Sequence, residues 1–272
     1  MHVYSGVSRN KLKAVLLAGG YGTRAKPFTD YIPKVMIPLD GRPVIDYVVR
    51  YLAKFSRISD LLIICEFDSF GRQIINYFEG KKSIIGKPIT FVEDKKSGTG
   101  GAVMAVESYV GRDRCFLVWF ADNLCALRVD DLVRKYEEVI KRSTSITGMV
   151  VVRRQRCEET GRVVLDNLKT GDDNGKEASI RKFIEKGVTD LEYPEAAGIY
   201  LFNNSIFDYL HDASEKTRGT FNLSHDILAQ ITPGKLYSYD IGGNTQWIDV
   251  DSPSYADRNK EIIMKILLQM ED

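Results

Sequence analysis

Phosphate chemistry needs cations, backbone N–H groups and carboxylates gathered in one place, and this sequence carries all three. Gly19, Gly20 and Gly22, followed by Thr23 and Arg24, come directly after the apolar run Lys13 to Leu17. Glycine tolerates positive φ and lets backbone N–H groups approach phosphate oxygens closely. Arg24 adds a planar cation that can grip two oxygens at once. Read alone, such a loop is more often an ordinary tight turn. It is not a Walker loop, because GxxxxGK[ST] is missing, and Ala25 breaks the dinucleotide pattern GxGxxG. Lys34 lies in IPKVMIP and, taken alone, reads as a solvated lysine. Asp122 follows the apolar FLVWFA, where a carboxylate can project into a crevice or cap the next segment. Asp249 and Asp251 lie in QWIDVDSP, and Asp251 reads as a cap for the final helix or as a neighbour in the same site.

The elements that must position these groups alternate. Lys13 to Leu17, Leu61 to Ile64, Ile89 to Val92, Phe116 to Trp119 and Thr147 to Val152 read as buried strands. Between them, Val44 to Phe55, Phe70 to Phe78, Ala102 to Tyr109 and Asp130 to Ile140 carry apolar residues at helical spacing. Such β-α alternation predicts an α/β fold with a mostly parallel sheet covered on both faces. Ligands in such sheets collect outside the carboxyl ends of the strands. The glycine loop and Asp122 both fall at carboxyl ends, so one crevice can hold both. The second half reads differently. It has short strands between Gly161 and Asp190, a strand at Ala196 to Phe202 and short helices at Ile206 to His211 and Ser224 to Gln230. A strand at Leu236 to Tyr239, a loop from Trp247 to Asp251 and a helix from Ser254 to Gln269 complete it. No composition shift marks a second domain, so residues 11–272 read as one domain behind a flexible extension, 1–10.

Composition narrows the function classes. The chain has 272 residues, 44% of them apolar, and a net charge of +1, which offers no bulk attraction to nucleic acid or a membrane surface. No apolar run is long enough to span a bilayer, and the first ten residues lack a secretory core, so a cytoplasmic location is expected. The four cysteines, Cys65, Cys115, Cys125 and Cys157, form no CxxC pair, and only three histidines exist. A structural zinc site is not expected, and Cys65 and Cys115 read as inert core thiols.

The run Gly19, Gly20, Gly22, Thr23, Arg24, Pro27, Thr29, Pro33, Lys34, Pro38, Gly41 and Pro43 follows GGxGTRxxPxTxxxPKxxxPxxGxP. In this the chain resembles the sugar-1-phosphate nucleotidyltransferase family, and the resemblance continues to about Tyr255. It implies a Rossmann-like sheet, mixed and mostly parallel, flanked by helices, with a sugar-binding elaboration in the second half. It also implies a nucleoside triphosphate, a sugar 1-phosphate and Mg²⁺. By this resemblance Leu17, Ala18, Gly19, Gly20, Gly22, Thr23, Glu93, Gly98 and Thr99 contact nucleotide. Arg24 and Lys34 form a cationic clamp, while Asp122 and Asp249 hold the metal and count with them as catalytic. Gly161, Glu185, Lys186 and Gly198 receive the sugar phosphate. Mg²⁺ takes oxygen ligands and keeps several waters, so two carboxylates from distant parts of the chain suit it.

Departures from the family pattern are local: Ala121 for glycine, Ser97 and Gly100 near Thr99, Gly187 for proline and Ala196 for asparagine. The reaction implied is attack of a sugar-phosphate oxygen on the α-phosphorus, with pyrophosphate leaving and no general base required. Glu93 offers only acceptors, which complements the N1–H and N2–H donors of guanine. The sequence reading therefore prefers GTP with mannose 1-phosphate, with UTP or dTTP and glucose 1-phosphate as the alternative. A non-catalytic regulatory subunit that binds nucleotide-sugar is a further alternative, favoured by Ala196 and Gly187. The amphipathic helices are compatible with a homo-oligomer.

Overall fold

In the computed structural model, the described residues are 11–20, 22–111, 115–143, 145–154, 161–166, 177–184, 193–217, 219–231 and 233–271. Strand β1 (Leu12–Leu17) is followed by a short ribbon, β2 (Pro38–Leu39) and β3 (Arg42–Pro43), and by helix α1 (Val44–Ala53). Next come β4 (Ile58–Cys65), α2 (Arg72–Glu79), α3 (Lys82–Ile85) and β5 (Ile89–Glu93). Then α4 (Gly98–Met104), α5 (Glu107–Val110) and β6 (Phe116–Phe120) complete the first half. Strands β5, β4, β1 and β6 lie side by side in that order, all parallel. The inner strands β4, β1 and β6 are largely buried on both faces, which is why they read as apolar runs rather than alternating ones.

The second half holds β7 (Asn123–Cys125), α6 (Val129–Arg142), β8 (Gly148–Arg153), β9 (Arg162–Leu165) and β10 (Glu177–Ile184). It continues with β11 (Glu195–Phe202), α7 (Ile206–Thr217), β12 (Leu236–Asp240), β13 (Trp247–Asp249), α8 (Pro253–Arg258) and α9 (Lys260–Glu271). Here the sheet changes character. Strand β11 enters antiparallel between β6 and β8, β12 lies parallel beside β8, and β10 and β9 finish it antiparallel. Strand β9 also meets β11, where Glu195 stands opposite Arg162, so this half curls back on itself.

Alternation along β11 divides the core. Ala197, Ile199 and Leu201 pack with α1, α2, α6 and α9 on one face. Ala196, Tyr200 and Phe202 pack with α4 and α7 on the other. Helices cover both faces, as the sequence pattern requires. No helix among the described residues is long and apolar enough to cross a membrane. Burial pushes the Cys65 thiol up to about 12 and the Cys115 thiol up to about 11, in keeping with inert core positions.

Several boundaries differ from those the sequence predicts; the helix expected at Ile206 to His211, for example, runs on to Thr217. The helix expected at Ala102 to Tyr109 starts at Gly98 and breaks after Met104 into α4 and α5. The closing helix is interrupted at Asn259. Trp247 to Asp249, expected as the start of a loop, is a strand, because it finds a partner in β7. Neither three-residue strand has enough length for period-two alternation to show in the sequence.

Candidate active site

Backbone pairing brings the phosphate-handling residues together. Strand β1 pairs with β6 so that Leu17 lies opposite Phe120, and Ala121 N donates to Leu17 O at 3.1 Å. That places Asp122 beside the glycine loop. The β7–β13 ribbon sets Asn123 opposite Asp249, and Val250 N donates to Asp122 O at 2.9 Å. Two carboxylates that stand far apart in the sequence thus become neighbours.

Lys34 stands between them. Its Nζ donates to Asp122 Oδ2 at 2.8 Å and to Asp249 Oδ1 at 3.1 Å, and lies 3.3 Å from Asp251 Oδ1. Arg24 Nε lies 3.2 Å from the same Asp251 oxygen. Burial opposes the Lys34 charge, but Asp122 and Asp249 outweigh it and hold its pKa above the ordinary lysine value. Lys34 is buried, not the solvated lysine that its type alone suggests. Burial and the neighbouring Asp122 push Asp249 up to about 6, against the pull of Lys34. Asp251 does not cap the final helix. Ser252 does so, accepting from Tyr255 N at 3.2 Å, and this leaves Asp251 to face Lys34 and Arg24.

Among the described residues no three His, Cys, Asp or Glu side chains are gathered to enclose a metal ion. Mg²⁺ is ordinarily held by one or two carboxylates, waters and substrate phosphates rather than by a full protein cage. Asp122 and Asp249 supply hard oxygen donors that the backbone pairing brings side by side. The residues present therefore fit Mg²⁺.

The loop itself is built on Gly22, whose φ of 58° is a left-handed conformation. A Cβ there would also meet Thr29 Cγ2 at 2.6 Å, while the Thr29 hydroxyl donates to Gly22 O at 2.7 Å. Beside the loop is a cavity of about 320 Å³, whose lining includes Gly19, Gly20, Thr23, Glu66, Asp68 and Lys96. Glu93 ends β5 exposed. The next carboxylate, Asp94, is the one lying against Gly19. Asp94 Oδ1 accepts from Lys96 N at 2.8 Å, and burial raises its pKa. Gly98 and Thr99 open α4, and Thr99 Oγ1 accepts from Leu223 N at 2.8 Å, so its hydroxyl holds a neighbouring segment.

On the far side, Gly161 O accepts from Ala196 N at 2.9 Å, two residues before Gly198 on β11. Gly198 has φ 68°, and a Cβ on it would collide with Asn123 Nδ2. That amide donates to Ala197 O at 2.7 Å, and Trp247 Nε1 donates to the same oxygen at 2.7 Å. One carbonyl of β11 thereby pins the residue after Asp122 and the residue two before Asp249. Asn123 and Trp247 carry no sequence signal for this role beyond their nearness to the aspartates. Glu185, Lys186 and Gly187 lie outside the described residues.

A glycine loop after β1 and a cluster joining Lys34 to Asp122, Asp249 and Asp251 thus meet on one side of an α/β sheet. The comparisons give the family. A model described as nucleotidyl transferase matches residues 13–264, and the chain belongs to that family. Bifunctional protein GlmU of Methanococcus maripaludis strain C7 is 27% identical over 260 residues, covering 94% of this chain and 56% of that protein. The same protein of Methanococcus aeolicus strain Nankai-3 is 27% identical over 257 residues, covering 94% and 55%. The chain thus spans about half the length of these curated relatives.

Among solved structures, a UDP-glucose pyrophosphorylase complexed with UDP-glucose superposes with a TM-score of 0.72 at 19% identity, covering 94% of this chain and 99% of that one. A putative glucose-1-phosphate thymidylyltransferase from Bacillus anthracis gives 0.74 at 22%, covering 92% and 94%. At these identities they establish the shared fold.

Proposed function

We propose that this chain transfers a nucleotidyl group from a nucleoside triphosphate to a sugar 1-phosphate, giving a nucleoside-diphosphate sugar and pyrophosphate. The observation that carries the proposal is Lys34 seated between Asp122 and Asp249, at 2.8 and 3.1 Å, beside the glycine loop. An oxygen of the sugar phosphate forms a bond to the α-phosphorus, and the bond from that phosphorus to the bridging oxygen of the β-phosphate breaks. The electron pair leaves with pyrophosphate. The nucleophile is already an anion near neutral pH, so the site needs positioning and charge neutralisation more than proton transfer. Lys34 and Arg24 supply positive charge against phosphate oxygens, and the loop supplies backbone N–H groups. Asp122 and Asp249 would hold Mg²⁺, which when bound offsets charge on the phosphates and orients them.

For the substrates we favour UTP or dTTP with glucose 1-phosphate. Similarity to the UDP-glucose pyrophosphorylase and the putative glucose-1-phosphate thymidylyltransferase supports this reading. Glu93, exposed at the end of β5, does not by itself choose between the bases. The test incubates the protein with Mg²⁺, each of UTP, dTTP, GTP, CTP and ATP, and a panel of sugar 1-phosphates, reading pyrophosphate release and product mass. Turnover with UTP or dTTP and glucose 1-phosphate is the expected result. Turnover confined to GTP and mannose 1-phosphate would keep the chemistry and overturn the substrate choice. Absence of pyrophosphate with every pair would overturn the transfer reading itself.

A further inference from the structure

A second charged cluster lies in the curled half of the sheet, away from the glycine loop. Glu195, fully buried at the start of β11, stands opposite Arg153 of β8 on one side and Arg162 of β9 on the other. Its Oε2 lies 2.8 Å from Arg153 Nη2, and its Oε1 accepts from Arg162 Nη2 at 2.9 Å. Arg162 Nη1 also donates to Tyr193 O at 3.0 Å. The Arg153 guanidinium lies over the Trp247 ring, 3.8 Å from its centroid. Such a buried cluster is rarely the most stable filling for a core, since well-packed apolar residues of similar volume often do as well or better. Its position offers a reason for its presence.

Trp247 is held at both ends. Its indole N–H is fixed on Ala197 O, and its ring face is covered by Arg153. Two residues along the same short strand, and therefore on the same side of it, is Asp249. At the other end of the cluster, Arg162 directly follows Gly161. A run of contacts thus leads from Arg162 through Glu195 and Arg153 to Trp247, two residues along β13 from Asp249. Arginine suits this place better than lysine. Its planar fork can bond a carboxylate while its face stacks on an aromatic ring.

We propose that Arg153, Glu195 and Arg162 are positioning residues that fix Trp247, and through it hold the Asp249 carboxylate in its place beside Asp122. The proposal rests on the reading of Asp249 as a metal-holding carboxylate. Groups that orient metal-ligating side chains typically change metal affinity or activity 10–100-fold when replaced.

The first variant is Arg153→Met, which leaves the Glu195–Arg162 pair intact and an apolar chain to cover Trp247. Mn²⁺ binding without substrate is followed by electron paramagnetic resonance, and Trp247 is followed by fluorescence in a Trp119→Phe background. Thermal melting is measured alongside. The expected result is an Mn²⁺ affinity lower by roughly tenfold or more, a shifted Trp247 emission, and a fall in kcat larger than any rise in KM for the nucleotide. Parent-like Mn²⁺ affinity and kcat in a folded Arg153→Met protein would overturn the proposal, whatever its melting temperature. Should that variant not fold, Arg153→Lys serves instead, since it keeps the charge and loses the planar stack. It is expected to lower Mn²⁺ affinity as well, and parent-like affinity there would overturn the proposal equally. Asp249→Asn separates the two readings. If Asp249→Asn leaves Mn²⁺ affinity intact, the underlying site assignment is wrong. If Asp249→Asn abolishes binding while the Arg153 variants do not change it, only the positioning role is wrong.

Discussion

Among the described residues, two ionic clusters differ in burial and in which sign predominates. At the carboxyl ends of β1 and β6, three aspartates face one lysine and one arginine, and several of these groups keep access to solvent. In the curled half, one glutamate serves two arginines and all three are buried. Partly accessible carboxylates suit a further cation, through which substrate phosphates could then be held. The buried Arg153–Glu195–Arg162 pairs, with an indole face over Arg153, serve to hold strands in register. The contrast shows that counting charges in a sequence says little about their use. Burial and the ratio of signs around each group decide it.

The largest effect that would sharpen this contrast is on folding. Glu195→Ala leaves Arg153 and Arg162 buried without the carboxylate they share, and should cost about 3–5 kcal/mol. A melting temperature lower by roughly 10 °C is the expected reading. An unchanged melt would show that the buried cluster does not hold the strands.

Asp249→Asn should do the reverse, lowering turnover by about 10²–10³ while the fold persists. Comparing its pyrophosphate release with its melting curve tests this. A large loss of stability would erase the distinction drawn between the clusters.

Gly198→Ala comes next. It places a Cβ at φ 68° against the Asn123 amide, and should destabilise by about 1–3 kcal/mol. Denaturant midpoints read the cost, and a parent-like midpoint would mean that the strand between the clusters yields easily.

The smallest effect is one of pH. Burial and Asp122 raise the Asp249 pKa from its ordinary 3.8 to about 6. Protonation therefore favours the folded, metal-free state. That contribution is fully present below the unfolded value and is lost as pH rises through about 6. Asparagine does not titrate, so the melting temperature of Asp249→Asn should gain on that of the metal-free parent between about pH 4 and pH 7. A constant difference would place Asp249 in an environment unlike the one described.

Much of this arrangement is written in the chain's local chemistry. The β-α alternation and the glycine loop are recognisable by residue type and spacing, because each depends on its immediate neighbours in the sequence, whereas Lys34, Asp122 and Asp249 stand out only through the resemblance to the family. The Asp251 role was open, since a carboxylate before Ser252 and Pro253 suits a helix cap as well as a site. It resolved only when the Ser252 hydroxyl took the cap. Glu93 and Asp94 are adjacent on a strand end, and one-residue alternation sends one outward and the other onto Gly19.

What the sequence by itself determined is the kind of protein: a sheet of buried apolar strands with a phosphate loop and separated carboxylates, because periodicity and local motifs need no distant partner. The tertiary structure alone decided which distant groups meet. The three-residue β7–β13 ribbon, the Ala197 carbonyl shared by Asn123 and Trp247, and the Arg153–Glu195–Arg162 cluster all join segments far apart along the chain. Such contacts form only when strand pairing sets the register, and no local pattern encodes them.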